Sequence, residues 1–112
     1  MSIEIANSCL DAYREGKTPD SERERDAILW LLNKIEAKIP GKSVELRIPP
    51  YAVISVIQGP VHRRGTPRAV VEMNAETLLK LSLGTSTWEE LEKSGKILAS
   101  GERSNLSGYF PL

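Results

Sequence analysis

The sequence predicts an α+β fold, a mixed sheet of about four or five strands covered by helices, and three observations point to it. Apolar residues recur at helical spacing through the first forty positions, switch to the alternation of strands after Gly41, and return to helical spacing after Asn74. No repeat and no strict strand–helix alternation is present, which sets aside a solenoid or a doubly wound sheet. A chain of 112 residues with 40% hydrophobic and 27% charged content is long enough for one core and too short for two. The whole chain, 1–112, is therefore expected to be one domain, with a helical part over about 1–41 and a sheet-and-helix part over about 42–112.

The first helix is expected over 3–15, where Ile3, Ala6, Cys9, Leu10 and Tyr13 fall on one face and Gly16 can end it. The second is expected over 20–39. Thr18 is its candidate N-cap with Pro19 at the first helical position, and Asp20, Glu22 and Glu24 suit the positive pole of the helix dipole. Its buried stripe is Ile28, Leu31, Leu32, Ile35 and Ile39, with Ala27 and Trp30 beside it, and the charge run SERERD is expected to be a solvated face.

After Gly41, SVELRI alternates Val44, Leu46 and Ile48 with Glu45 and Arg47, a strand over 43–48 with one wet face that Pro49 and Pro50 stop. YAVISVIQG is apolar on both faces and rich in β-branched residues, so a central strand covered on each side is expected over 51–58. The irregular PVHRRGTPR precedes a strand over 69–73. Asn74 then caps a helix over 75–83 whose Leu78, Leu79, Leu81 and Leu83 make a broad apolar face before Gly84. Thr87 and Glu90 have capping-box spacing for a short helix over 88–94 containing Trp88 and Leu91, and KILAS closes the series as a strand over 96–100. Leucines and a tryptophan at this density form either a solid core or the wall of an apolar cavity, and periodicity does not separate the two.

Charge and composition narrow the function. Fifteen basic residues balance fifteen acidic ones, so no net field draws the molecule to nucleic acid or an anionic membrane. No apolar run suits a membrane span or a signal peptide, and Cys9, the single cysteine, has no intramolecular partner. A cytoplasmic protein without stable membrane insertion is expected; oligomeric state is left open. No catalytic residue, metal site or cofactor is expected. His62 is the single histidine and lies among arginines, and Cys9 lies on an apolar stripe that suits an inert thiol. GTST after Leu83 lacks the lysine of a phosphate loop.

MNAETLLKLSLGTSTWEELEKSGKILASG, residues 73–101, resembles the most recognisable segment of the sterol carrier protein family, the sterol carrier protein type-2-like domain. There a strand runs into a capped leucine helix, a glycine, a short helix beginning near an aromatic residue and a G-x-[IVL]-x-x-x-G strand. VELRIPPYAVISVIQGPVHRRGTPRAVVE, residues 44–72, is similar in particular to small bacterial, actinobacterial-type homologues. The resemblance implies non-enzymatic binding or carriage of a lipid-like molecule, sterol-like or fatty acyl, in a cavity between sheet and helices. It places the wall of that cavity on Leu78, Leu81, Trp88 and Leu91, with Phe110 as a lid. The alternative is a protein-interaction or accessory module with a filled or vestigial cavity that acts with an enzyme.

A second constellation is HRRGTPR, residues 62–68. His62, Arg63, Arg64, Thr66 and Arg68 supply donors around Gly65 that suit a carboxylate or phosphate, and the same residues suit a solvated loop whose arginines pair with surface acids. Were the ligand amphipathic, this loop would be the candidate holder of an anionic head group.

Overall fold

The helix α1 (Ser2–Arg14) leads into α2 (Ser21–Lys38) in a computed structural model that describes residues 2–59 and 68–112. Strands β1 (Val44–Ile48) and β2 (Ala52–Val56) follow, then β3 (Ala69–Glu72), α3 (Ala75–Ser82), α4 (Trp88–Lys93) and β4 (Leu98–Ser100). A short 3-10 turn, Ser107–Tyr109, lies in the last segment. Helix and strand positions agree with those expected from sequence to within a few residues. The sheet order is β2-β1-β3-β4. β1 runs antiparallel to β2 and parallel to β3, with Leu46 opposite Ile54 on one side and Val71 on the other, and β4 closes antiparallel on β3. The α+β architecture with a mixed four-stranded sheet is the one the periodicity predicts.

Local chemistry accounts for the element ends. α2 begins after Asp20, whose carboxylate accepts the Arg23 N–H at 3.2 Å, so the cap stands two residues beyond the expected Thr18. An aspartate already in place is at least as good an acceptor as threonine, and Pro19 falls just outside the helix. Asn74 caps α3 through the Thr77 N–H at 2.9 Å. The Thr87–Glu90 capping box starts α4 with both reciprocal bonds formed, each at 3.2 Å.

Alternation along the strands decides what faces what. Val44, Leu46 and Ile48 on β1, Val56 on β2 and Val71 on β3 are buried beneath the helices, where they meet Ile28, Leu31 and Ile35 of α2 and Leu78 and Leu79 of α3 in one continuous core. The opposite face carries Glu45, Arg47, Val53, Val70, Glu72 and Leu98, with Val53 57% and Leu98 61% exposed. β2 is thus an edge strand with one wet face rather than the covered central strand expected from its β-branched run. Val53 and Ser55 point outward while Ala52, Ile54 and Val56 point toward the helical side, and β-propensity alone does not report how many neighbours a strand has.

SERERD also departs from expectation. Glu24, in its middle, is only 6% exposed. It stands one turn ahead of Ala27 and Ile28, so the buried stripe of α2 begins on a carboxylate.

Candidate ligand-binding layer

The leucine helix α3 packs against α1 and α2 and turns its leucines into the core. Leu78 and Leu79 are fully buried, Leu81 and Trp88 nearly so, and Leu91 follows them from α4. The four residues named from sequence as a wall thus belong to one buried core. Phe110 reaches the same core half-buried, from a segment that returns over the end of α3. That segment is anchored by Leu106, fully buried. Two further bonds hold it: the Leu112 N–H donates to the Ser82 carbonyl at 3.0 Å, and Lys38 Nζ donates to the Tyr109 carbonyl at 2.8 Å. Pro111 rests against Gly84 at the turn between α3 and α4.

Two polar groups in this region have no hydrogen-bond partner among the described residues: Ser82 Oγ at the end of α3 and Trp88 Nε1 at the start of α4. Both residues are buried, Ser82 at 2% and Trp88 at 3% exposure. Ser82 stands one turn after Leu78 on the same helical face, so its burial was legible from spacing.

Among the described residues two open grooves border the core. One, of about 450 Å³, is lined by Val70, Glu72, Leu98 and Ser100 on the outer face together with Glu92. The other, about 430 Å³, lies between α2 and the chain end, lined by Lys34, Ala37, Lys38 and Leu112.

The arginine constellation is only partly in view. His62, Arg63, Arg64 and Thr66 lie outside the described residues. Arg68 is half-exposed, with Nε 3.6 Å from Glu45 Oε2, and Arg47 reaches the other oxygen of the same carboxylate at 2.8 Å. Glu45 belongs to the outer face, so Arg68 and the leucine wall are on opposite sides of the sheet. For Arg68 alone this is a pairing with a surface acid.

A polar cluster that sequence reasoning missed sits at the start of α2. Glu24 accepts hydrogen bonds from both Tyr13 on α1 and Tyr51 in the β1–β2 turn, the latter at 2.6 Å. The carboxylate thereby ties the first helix, the second helix and the sheet together. Burial, the hydrogen bond to Glu24 and its negative charge, in that order, push the Tyr51 hydroxyl up to about 12. The same causes raise Tyr13. Cys9, also buried, is raised by desolvation first and by Glu24 second, which keeps its thiol protonated and unreactive. Glu24 could have been found from its spacing to Ile28. Its two partners could not, because no local pattern links position 24 to position 51.

Among the described residues no group of three or more His, Cys, Asp or Glu side chains is placed to hold a metal ion. No described helix is long and apolar enough to cross a membrane. No curated protein matches the chain. The family model for bacterial orthologues of the sterol carrier protein (bacterial SCP ortholog) matches residues 20–112, from the cap of α2 through the whole sheet to the closing segment, and the chain belongs to that family.

Proposed function

We propose that the protein binds one apolar or amphipathic molecule, fatty acyl or sterol-like, in the layer between the leucine helix and the sheet, and carries it without changing it chemically. Family membership supports a lipid carrier or related role. The observation that carries the location is the way the layer is closed. In this reading one wall is regular structure, Leu78 and Leu81 on α3 with Trp88 and Leu91 on α4, and the side toward Ser82 is closed by residues 104–112, which contain a single 3-10 turn and, among the described residues, are tied to α2 and α3 by the Lys38–Tyr109 and Leu112–Ser82 bonds. A ligand reaches the layer by taking the place of Leu106 and Phe110. Withdrawing such a segment costs less than separating helix from sheet, because segments with few backbone bonds open at lower free energy than a packed core. Burying a long acyl chain is worth about 0.8 kcal/mol per methylene and offsets the exposure of those two side chains.

An accessory module with a filled core is the second reading. Complete burial of Leu78 and Leu79 favours it, as does the apolar surface at Val53 and Leu98 on the outer face. One titration separates the two. In a Trp30→Phe variant the remaining tryptophan is Trp88, whose emission should change saturably with one equivalent of a long-chain fatty acyl compound or a sterol. An unchanged emission with every probe would leave the accessory role standing.

A further inference from the structure

Resting on the layer proposed above, we propose that the polar end of the ligand is an uncharged oxygen acceptor, a hydroxyl or an ester carbonyl, received by the Trp88 indole N–H and the Ser82 hydroxyl beneath residues 107–112. The starting point is the pair of donors. A helical serine normally returns its hydroxyl to the carbonyl one turn back, and a buried indole N–H normally finds an acceptor. Ser82 Oγ and Trp88 Nε1 do neither among the described residues. A buried donor without a partner is costly, so a pair of them flanking one turn is maintained against a cost that a ligand oxygen removes.

The surroundings set the charge of that oxygen. Both donors are neutral, and Trp88 belongs to the same buried core as Leu78, Leu79, Leu81, Leu91 and Leu106. Three lysines of α2 and α3 are engaged elsewhere. Lys38 Nζ is bonded to the Tyr109 carbonyl, Lys34 lies over the Trp30 ring, and Lys80 pairs with Glu76 at 2.7 Å. A carboxylate brought to these two neutral donors would lose its hydration with none of those three lysines free to compensate, whereas a hydroxyl or ester loses far less and gains the same two donors. Selectivity should run opposite to that of an arginine-lined mouth.

The Trp30→Phe protein, labelled with ¹⁵N, shows one indole N–H resonance and is titrated in turn with oleyl alcohol, methyl oleate, oleate at pH 8 and 1-octadecene. The alcohol and the ester should move that resonance downfield, octadecene should bind without doing so, and oleate should bind more weakly than its methyl ester. Ser82→Ala, which removes one hydroxyl without enlarging a side chain, should weaken the alcohol about three- to tenfold and leave octadecene unchanged. Octadecene bound as tightly as the alcohol with an unmoved indole in all cases would overturn this inference and leave the carrier reading intact, as would oleate binding more tightly than its ester. Failure of all four probes to bind would overturn both.

Discussion

Replacing Glu24 by alanine should lower the stability of the folded protein by about 2–3 kcal/mol, because it leaves two tyrosine hydroxyls aimed at a site with no acceptor. Tyr13 and Tyr51 both donate to this carboxylate, and both are part-buried. A loss of that size corresponds to a fall in melting temperature of about 10 °C for a domain of this length. Glu24→Gln retains an acceptor oxygen and should cost about 1 kcal/mol. The couplings discriminate further: Tyr51→Phe alone should cost about 1 kcal/mol and almost nothing in the Glu24→Ala background. Additive losses would mean that the three groups do not act as a unit. Alkaline pH reads the same cluster. Tyr51 is raised from 10.0 to about 12, and Tyr13 is raised as well. Above the ordinary value the unfolded phenols have lost their protons while the folded ones keep them. The native state then binds more protons, and stability present below about pH 10 is lost as pH rises toward 12. Urea midpoints between pH 8 and 11 should fall more steeply for the wild type than for the Tyr13→Phe/Tyr51→Phe protein.

The second large effect is expected at Gly41. The chain leaves α2 at Ile39 and turns across the end of β2 before entering β1, with the Ile57 N–H bonded to the Ile39 carbonyl at 2.8 Å and the Ser43 N–H to the Ile57 carbonyl at 3.0 Å. Gly41 has φ +148°, and a β-carbon there would stand 2.0 Å from the carbonyl carbon and oxygen of Ile57. Neither strand can yield without breaking these bonds. Gly41→Ala should therefore cost about 3 kcal/mol or more. Gly16 supplies the control: its φ is +74° but nothing lies within 4 Å of the added carbon, so Gly16→Ala should cost only the left-handed backbone strain, about 1 kcal/mol. Denaturant unfolding of the two variants side by side gives the comparison, and equal losses would remove the close approach at Gly41 as the cause.

What was legible in the sequence follows the range of the forces involved. Periodicity and caps act within a few residues, so the leucine helix, the Thr87–Glu90 capping box and the alternation of Val44, Leu46 and Ile48 are recovered in place. The position of a strand within the sheet is a long-range property. YAVISVIQG has the composition of a covered strand, but the order β2-β1-β3-β4 leaves it at an edge, with Val53 in water. The site divides in the same manner. Leu78, Leu81, Trp88 and Leu91 share one core because each lies on the apolar face of its own helix. Where Arg68 sits relative to them depends on strand parity two positions from Val70, and that parity sends it to Glu45 on the far side. The Tyr13–Glu24–Tyr51 cluster joins three elements through side chains alone, beyond the reach of any local pattern.

The most direct test of the central claim, that a lipid-like molecule occupies the inner layer, is a methyl NMR titration with leucine and valine methyl groups labelled. In the proposed layer Leu78, Leu81, Leu91 and Leu106 would line or close it, and all four are buried, while Val53 and Leu98 stand exposed on the opposite face of the same sheet. One equivalent of oleyl alcohol should shift the methyl resonances of the first group, give intermolecular NOEs to them, and leave Val53 and Leu98 in place. NOEs to Val53 and Leu98 instead, or no saturable shift in the first group, would contradict it.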